Sequence, residues 1–528
     1  MKSRNIISVL ILLLTGLMMG CKRESPTTWQ SDVLVPIANG RITLNNIIDD
    51  SLLYYDEECL WHLLFHESLT DFDLDTLVEI PDTVITKSFV VPIVGGPFVI
   101  APGQEIIEQT ENNLINVNDA QLREVRIKSG ELQYSIRSYI NGYLDCVYEL
   151  PGVTLNGSGT TIQTVTQPGS GANPYVYNGI LNLAGYKIDM TGESGFMFNR
   201  IFTHLILSAA TDAPASTFVS GNDSLVIELK FVNPIVSYAR GYFGQHNYEL
   251  NEEVDFSDNV NFPDGNLNLQ QATMKMQIVN SVGVDAQINF EEVSSYSNFH
   301  DLTLPLVHAP LYQPLNITRA YDNNGAVSSA TYEYNMNNSN SNIVPFISNL
   351  PDVMNLQANV IINPLGNVTD GNDFIYTEKS LSATVDLDVP LNIGMQDLTL
   401  IDTIEINTDE TELVANGAAI LYFENAFPFT AKCSVWLIDD AGSSTTLLNY
   451  GQMQSAFTTD TQGVTIPAGS SFKVLLDQYV IDRINESHRF VVKVVFDTPD
   501  DGQTYGLYKD YYIDFKVVAD GEVQLKYD

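Results

Sequence analysis

The sequence predicts an all-β protein built from tandem β-sandwich domains with few short helices. Turn-forming Asn-Gly and Asp-Gly pairs recur, and such pairs tolerate the positive φ angles of tight hairpin turns. They stand at Asn141-Gly142, Asn156-Gly157, Asp264-Gly265, Asn324-Gly325, Asp370-Gly371, Asp501-Gly502 and Asp520-Gly521. Between them lie short runs rich in Val, Ile, Tyr, Phe and Thr, and no long stretch keeps a helical apolar period. The best helix candidate runs near Asn342 to Leu350, where Pro345 limits it to one or two turns.

Three strand pairs, shifted by 142 and 145 residues, share one pattern of alternating apolar residues. They run from Leu132 to Tyr148, from Met274 to Phe290 and from Ala419 to Val435. A period of two is what a half-buried strand requires, because successive side chains point to opposite faces. Each pair carries one polar break, and the breaks are Ser138, Asn280 and Asn425. We therefore predict a threefold repeat in which the strand bends or changes sheet at the break.

The N-terminal segment predicts export and lipid attachment. A basic start precedes an apolar stretch from Ile6 to Met19, which is short for a spanning helix of about 20 apolar residues. Gly20 is the small residue that a signal peptidase requires before Cys21. The segment Met18-Met19-Gly20-Cys21 resembles the signal of bacterial lipoproteins, in which Leu is usual where Met18 stands. The resemblance implies that residues 1–20 are removed and that lipid, palmitate included, is attached to Cys21. An ordinary secretory signal with a chance cysteine is the alternative.

We predict six segments. Residues 1–20 are the signal peptide, 21–45 the lipidated cysteine and a linker, and 46–95 an N-terminal β-hairpin section with an acidic turn. Residues 96–235, 236–390 and 391–528 are β-sandwiches one, two and three. The length of 528 residues fits about three domains of the usual size.

Two resemblances refine these predictions. Ile278-Val279-Asn280 and the run from Phe423 to Pro428 are similar to the kinked strand of immunoglobulin-like and desiccation-protein-like β domains. The sandwiches are therefore expected to be immunoglobulin-like or related. Several short phrases resemble uncharacterised exported lipoproteins of Bacteroidota-type bacteria, namely Asp50 to Leu53, Ile80 to Thr83, Ser348 to Asp352 with Asn363 to Asn367, and Glu424 to Phe429. That second resemblance implies an address in the outer membrane and no particular activity.

Charge excludes one class of partner. The chain carries 65 acidic and 25 basic residues, a formal charge of −40. A surface this negative repels phosphate backbones, so we expect no nucleic-acid partner. It also disfavours adsorption to anionic lipid heads, which leaves the N-terminal lipid as the attachment to the membrane.

Cysteine usage does not indicate a disulfide framework or a zinc site. Beyond Cys21 only Cys59, Cys146 and Cys433 remain, and they lie far apart in sequence. Three residues allow at most one bridge, and none of them stands at ligand spacing. We expect three buried small hydrophobes, and we leave open whether any two are bridged.

His62 and His66 are the best metal candidates in the sequence. On a helix, a spacing of four residues would place both imidazoles on one face, which is the arrangement of the zinc-binding histidines in zinc enzymes. The surrounding alternation of Trp61, Leu63 and Phe65 favours a strand, on which a third element would be needed to chelate one ion. A polar strand face is therefore preferred, and no metal residue is predicted.

Acidic clusters leave weak calcium binding open. Asp71, Asp73 and Asp75 resemble the start of a calcium loop, but Thr76 stands where Gly is needed and Asp82 where Glu is expected. The clusters at Asp322-Asn323-Asn324, Asp370-Gly371-Asn372-Asp373 and Asp497 to Asp501 are first of all turns. A strand with a solvated acidic face is the preferred interpretation of the first cluster. We predict no cofactor.

Five Asp-Ser/Thr-aliphatic triplets are similar to the O-glycosylation acceptors of exported Bacteroidota proteins. The predicted acceptors are Ser51, Thr76, Thr83, Ser224 and Thr403. Sugar there fits a surface-exposed strand end. Chance also supplies a few such triplets in a chain of this length.

The sequence carries no catalytic motif. No G-x-S-x-G elbow or phosphate cradle is present, and no carboxylate pair can be chosen among 65 acids. We therefore expect a non-catalytic, lipid-anchored envelope protein that acts as a binding, adhesion or structural module through loops at sandwich ends. The alternatives are an accessory subunit of an outer-membrane export or uptake complex and a carbohydrate-active hydrolase with accessory β domains. An outer-membrane protein or a glycan is the expected partner, and the periplasmic or cell-surface side is undecided.

Overall fold

The computed structural model describes residues 29–525, except 47, 73–74, 118, 257–265, 324, 407–410, 414–416, 440–441, 460–462, 487–488 and 499–502. The signal segment, Cys21 and the turn Asp264-Gly265 therefore lie outside the described residues. The described residues form 38 strands and two short α-helices, so the prediction of an all-β protein is confirmed.

The strands fall into four groups along the chain. Before the first sandwich come β1 (Trp29–Ile42), β2 (Leu53–Tyr55), β3 (Trp61–Phe72) and β4 (Thr83–Val90). The first sandwich contains β5 (Phe98–Ile100), β6 (Glu105–Leu114), β7 (Gln121–Ser138), β8 (Leu144–Leu155), β9 (Ser158–Thr166), β10 (Tyr175–Asn182), β11 (Lys187–Asp189), β12 (Arg200–Ala209), β13 (Thr217–Val219) and β14 (Ser224–Tyr242).

The third group, that of the second sandwich, runs from β15 to β26. It contains β15 (His246–Asp255), β16 (Asn266–Leu269), β17 (Thr273–Asn280), β18 (Ala286–Ser297), β19 (Leu302–Pro305), β20 (Leu315–Ile317), β21 (Tyr321–Asn323), β22 (Ala326–Ser328), β23 (Ala330–Met336), helix α1 (Ile343–Ser348), β24 (Val353–Ile362), β25 (Asp373–Tyr376) and β26 (Leu381–Pro390). Helix α1 lies where the sequence predicts a short helix.

The fourth group, that of the third sandwich, completes the chain. It contains β27 (Asn392–Gln396), β28 (Leu398–Glu405), β29 (Thr411–Leu413), β30 (Gly417–Asn425), β31 (Ala431–Ile438), β32 (Ser444–Met453), β33 (Phe457–Thr458), β34 (Thr465–Ile466), β35 (Ala468–Leu476), helix α2 (Gln478–Glu486), β36 (Arg489–Phe496), β37 (Tyr505–Gly506) and β38 (Ile513–Leu525). Helix α2 was not anticipated.

The three sandwiches have the same strand order, and the pairings between their described strands are antiparallel; the isolated bridge between Thr191 and Arg200 is parallel. One sheet of each reads β4-β14-β7-β10, β3-β26-β17-β23 and β1-β38-β30-β35. The second layer reads β6-β12-β8-β9, β15-β24-β18-β20 and β28-β36-β31-β32. In the first sandwich β11 pairs with both β7 and β8, so its two layers form one continuous sheet. The predicted repeat pairs, β7-β8, β17-β18 and β30-β31, occupy equivalent places and step from one sheet to the other.

The N-terminal segment supplies one strand to every sandwich, in reverse order along the chain. Strand β1 pairs with β38 in the third, β3 with β26 in the second, and β4 with β14 in the first. The expected linker 21–45 was therefore wrong for residues 29–42, which form β1. The sequence signal was missed because β1 gains its burial only by pairing with a strand almost 500 residues away. The β2-β3 hairpin forms with an acidic turn, in which Asp56 Oδ1 accepts from the Glu58 and Leu60 backbone N–H groups.

The polar breaks are the corners at which the strands change sheet. Asn425 is fully buried; its Nδ2 donates to the Phe429 and Gln454 carbonyls at 3.0 and 2.8 Å, and its Oδ1 accepts from Phe427 N–H at 2.9 Å. Asn280 makes the same three bonds, to the Val284 and Thr318 carbonyls and from Val282 N–H. Ser138 accepts one bond, from Ile140 N–H at 3.3 Å. One buried amide side chain thus fixes the corner in the second and third sandwiches.

In the first sandwich, β7 and β14 also bend together in mid-strand. Asn233, with φ +46, precedes Pro234, which has no N–H to give to the ladder, and the register shifts between Val232 and Ile235. Gly130 faces this point with φ +141, and a Cβ there would lie 2.9 Å from Pro234 Cα. The two long strands can therefore pass from one layer to the other.

Short extra pairings join the three sandwiches. Strand β25 pairs with β14 at the first junction, and β16, β27 and β37 form a small sheet at the second. Arg319 also holds Asp285 and Asp373 close to the first junction. The buried apolar residues of the described chain form one main cluster that extends from Ile37 to Ala519. The sandwiches are thus fused through their cores as well as through the N-terminal strands.

Candidate functional site

The best candidate for a contact surface is one end of the first sandwich, built on the ribbon of β5 and β13. Phe218 pairs with Val99, and Val219 pairs with Phe98. Strand β4 leads into this end at Val90, and β14 leaves it at Ser224. Since β14 then runs towards β25 in the second sandwich, the ribbon lies at the end of the first sandwich that faces away from the second.

The ribbon is held by backbone hydrogen bonds, and it is therefore preorganised. Gly221 N–H donates to Gly95 O at 2.8 Å, Phe218 N–H donates to Asn141 O at 2.9 Å, and Val91 N–H donates to Asp223 O at 2.9 Å. Gly96 has φ +117, and a Cβ there would lie 2.8 Å from Val219 O. Only glycine fits this close approach.

Large apolar side chains nevertheless point into solvent at this ribbon. Val94 is 96% exposed, and Val99, which is 63% exposed, shares one face of the ribbon with its exposed partner Phe218. Phe98, which is 50% exposed, lies opposite Val219 on the other face. Thr217 and Val219, the alternate residues of β13, are buried below. Exposed apolar patches on a rigid support mark interaction sites.

Two segments that build this end contain no charged residue, although Asp223, which accepts from the Ser220 N–H, follows the second of them directly. No Asp, Glu, Lys or Arg occurs from Ser88 to Gln104, and none occurs from Ala213 to Asn222. We call these two segments the uncharged end. In a chain of formal charge −40, such segments stand out. The uncharged end is therefore where a partner meets apolar surface at the least electrostatic cost. Sequence reasoning predicted loops at sandwich ends but not these residues, although the long charge-free run was a usable signal.

The two candidate histidines bind separate carboxylates on the outer face of β3. His66 Nδ1 lies 2.5 Å from Asp386 Oδ1. His62 Nδ1 lies 2.7 Å from Asp388 Oδ1, and Tyr54 Oη is 3.1 Å from the same nitrogen. Within the described ranges, no group of three His, Cys, Asp or Glu residues could hold a metal ion. Each imidazole therefore belongs to a polar cross-strand pair.

The acidic clusters are engaged in local or ionic contacts where they are described. Asp373 binds Arg319 Nη1 at 2.6 Å and accepts from Thr369 at 2.7 Å, and Asp497 binds Lys432 Nζ at 2.6 Å. Burial raises the pKa of Asp373, while Thr369 and Arg319 act to lower it. The carboxylate is almost fully buried, so it is closed to a substrate. Asp73, Asn324, Asp500 and Asp501 lie outside the described residues.

All three described cysteines are free thiols. Cys146 and Cys433 are fully buried, and burial raises the pKa of each to about 12. Cys59 differs from the expectation, because it is only half-buried and sits at φ +65 in the turn between β2 and β3. A turn position with positive φ gives its side chain no sheet face to pack on.

The predicted glycosylation acceptors lie in different local settings. Ser51 and Thr403 are exposed, whereas Thr83 and Ser224 are half-buried at the first residues of β4 and β14. Cys21 and the side chain of Thr76 lie outside the described part of the chain. Glycosylation and lipidation therefore stay predictions.

An apolar cavity of about 130 Å³ lies where the second and third sandwiches meet. Phe65, Leu269, Val389 and Leu391 are among its walls, and Asp352 stands in the lining as its one ionisable residue. The cavity is suited to an apolar group of about the size of a benzene ring.

No protein-family model matches the chain, and no curated protein matches it. Three solved structures are similar to it at low identity. A "putative secreted protein" from Parabacteroides distasonis is 12% identical, with 69% of this chain and 99% of that chain covered and a TM-score of 0.17. Infectious bursal disease virus, Gx strain, is 10% identical (92% and 83% covered, TM-score 0.13), and the VP2 subviral particle of that virus is 10% identical (92% and 86%, 0.12). TM-scores this low inform neither fold nor function.

Proposed function

We propose that the chain is a non-catalytic, lipid-anchored protein of the bacterial outer envelope, and that it binds a partner through the uncharged end of the first sandwich. The observation that carries this proposal is the rigid display of Val94, Phe98 and Val99 on an otherwise strongly acidic chain. Among the described residues, no helix has both the length and the apolar character needed to cross a membrane. In this proposal lipid on Cys21 supplies the attachment to the membrane.

The order of the N-terminal strands supports this arrangement. Cys21 precedes Trp29 by eight residues, which reach roughly 29 Å at full extension. Strand β1 then pairs in the third sandwich, β3 in the second and β4 in the first. A lipid on Cys21 therefore tethers the third sandwich to the membrane and leaves the uncharged end of the first at the far side.

The anchor is tested by labelling cells with a fatty-acid analogue. We expect the label on the wild-type chain and its loss in Cys21→Ser, together with a shift from the detergent phase to the aqueous phase. Retention of label and detergent partitioning by Cys21→Ser would count against the anchor. Unlabelled but exported wild-type chain would instead favour the ordinary secretory signal.

The binding surface is tested by photo-crosslinking in the native envelope. A photoreactive phenylalanine analogue replaces Phe98 in one variant and Tyr422, an exposed aromatic residue of the third sandwich, in the control. We expect a discrete adduct from position 98 alone. An adduct containing an outer-membrane barrel would indicate an accessory subunit of an export or uptake complex. Identical adducts from both positions, or none, would refute binding through the uncharged end.

A further inference from the structure

Strand β10 is an edge strand with an open side. It pairs with β7 along its whole length, from Tyr175 opposite Ser138 to Asn182 opposite Glu131. Among the described residues, no strand pairs with its other side. The backbone N–H and C=O groups on that side are available to a further strand.

The side chains of β10 alternate in a way that suits a further strand. Tyr175, Tyr177 and Leu181 are half-buried, whereas Val176 is 46% and Ile180 65% exposed on the opposite face. The strand lies in a run of 37 residues, 150–186, that contains no Asp, Glu, Lys or Arg. The exposed face of this edge is therefore apolar and uncharged.

The equivalent edges of the other two sandwiches are charged. Glu333 on β23 binds Lys275 Nζ at 2.7 Å, and Lys473 on β35 binds Asp520 at 2.9 Å. Charged side chains on edge strands are the usual protection against unwanted pairing. The first sandwich alone lacks this protection at the edge, although it shares the strand order.

The sequence of β10 is complementary to itself in the antiparallel sense. With Asn178 placed opposite Asn178 of a second copy, Val176 stands opposite Ile180, and Tyr175 stands opposite Leu181. Directly opposed residues on one face have Cβ atoms about 5 Å apart, so both exposed apolar residues of each copy find an apolar partner. Tyr177 then stands opposite Gly179, over which the Tyr134 ring already lies, since a Cβ at Gly179 would be 2.2 Å from that ring.

We propose that two copies of this chain associate through antiparallel pairing of their β10 strands about a twofold axis. The uncharged run is where two chains of charge −40 can approach with the least repulsion. The pairing inverts one copy relative to the other along the strand direction. This inference rests on the proposed function, because it makes binding between two copies of the chain part of the binding role. Antiparallel pairing is compatible with copies that are anchored on two membranes facing each other.

The test is the sedimentation behaviour of the whole chain carrying Cys21→Ser, which removes the lipid. We expect a concentration-dependent dimer. Ile180→Lys and Val176→Glu are each expected to weaken it at least about tenfold, because each places a charge against an apolar partner at two symmetric positions. The matched control is Leu475→Lys, at a residue 81% exposed on the equivalent edge β35, and it is expected to leave the dimer unchanged.

Mixing the two β10 variants tests the register. The lysine introduced by Ile180→Lys in one copy then stands opposite the glutamate introduced by Val176→Glu in the other. The mixture is therefore expected to recover a heterodimer that neither variant forms alone. A wild-type chain that stays monomeric up to its solubility limit overturns the inference. So does dissociation by Leu475→Lys to the same extent, or failure of the mixture to associate.

The two proposals fail in different ways. A monomer that still gives the position-98 adduct overturns pairing through β10 and keeps the proposed function. A dimer in a chain without that adduct keeps the pairing and removes the role of the uncharged end. An adduct from a photoreactive residue at position 180 to another protein, with no dimer, assigns the edge to a partner strand instead and overturns the inference.

Discussion

The first and third sandwiches share a framework and differ at their surfaces. Both take a strand from the N-terminal segment, both turn a corner between equivalent strands, and both carry a buried cysteine at the same position of the repeat. Yet the third has an amide side chain at its corner and a charged edge, whereas the first has Ser138 and an uncharged edge. The framework is fixed by strand pairing, and the edges and ends are free to specialise.

The charge difference can be located on particular strands. Lys473 on β35 is paired with Asp520, and its equivalent strand β10 carries no ionisable side chain other than tyrosine. An exposed ion pair contributes little to stability, about 0–1 kcal/mol. The first sandwich therefore gives up little folding free energy by having no such ion pair on β10. The uncharged edge is in turn open to a further strand.

The largest effect that separates the two sandwiches is expected from core residues of their N-terminal strands. Phe89 of β4 and Ile42 of β1 are both buried, and truncation to Ala leaves a cavity. We expect Phe89→Ala to destabilise the first sandwich by about 3–5 kcal/mol and Ile42→Ala to destabilise the third by about 2–5 kcal/mol. Hydrogen exchange should accelerate in the first half of β14 for Phe89→Ala and in β38 for Ile42→Ala.

Matched controls lie on the same two strands. Val90→Ala and Leu34→Ala remove exposed side chains and are expected to change stability by less than about 0.5 kcal/mol. If either core variant accelerated exchange in both sandwiches equally, the chain would unfold as one cooperative unit. The comparison between separately stabilised sandwiches would then no longer hold.

The corners give the next effect. Asn425→Ala removes three buried hydrogen bonds and leaves two carbonyls and one N–H without their side-chain partner. We expect a loss of about 2–4 kcal/mol in the third sandwich. Ser138→Ala removes one long bond and is expected to cost about 1 kcal/mol in the first. Denaturant titration followed by exchange in each sandwich measures both.

Asn280→Ala serves as the internal check, because Asn280 makes the same bonds as Asn425 in the second sandwich. The two asparagine variants should agree within the spread of such measurements. A cost for Ser138→Ala equal to theirs would show that the corner depends on the backbone bend rather than on the amide side chain.

The sequence predicted the parts of the fold that depend on local pattern. Alternating apolar residues located the repeat pairs β7-β8, β17-β18 and β30-β31, and the polar breaks located their corners. It did not predict β1 as a strand, because pairing between Trp29 and Leu525 leaves no local mark. Nor did it predict the three bonds of Asn280 and Asn425, because they depend on where a distant loop places its carbonyls.

The candidate site was predictable only in kind. Loops at sandwich ends were expected as the contact surface, but Val99 and Phe218 come together only through the pairing of β5 with β13 across more than 100 residues. The absence of charge around each is visible in sequence. A charge-free run indicates a contact surface only where its side chains are exposed, and the sequence does not show which ones are. In the run Val91-Pro92-Ile93-Val94, for example, Val91 is buried and Val94 is almost fully exposed.

The smallest effect concerns the equivalent thiols and tests whether the two cores are alike. Burial raises the pKa of both Cys146 and Cys433 from about 9 to about 12, so the folded chain holds these protons more tightly than the unfolded chain. The resulting stability is fully present below pH 9 and is lost as the pH rises towards 12. The measurement is iodoacetamide labelling at about pH 8, below the ordinary thiol pKa, followed by mass spectrometry of the peptides. We expect Cys59 to be labelled in the folded, lipidated protein. We expect Cys146 and Cys433 to be labelled only in denaturant. Faster labelling of Cys146 than of Cys433 without denaturant would mean that the first sandwich, which presents the binding surfaces, opens more readily than the third.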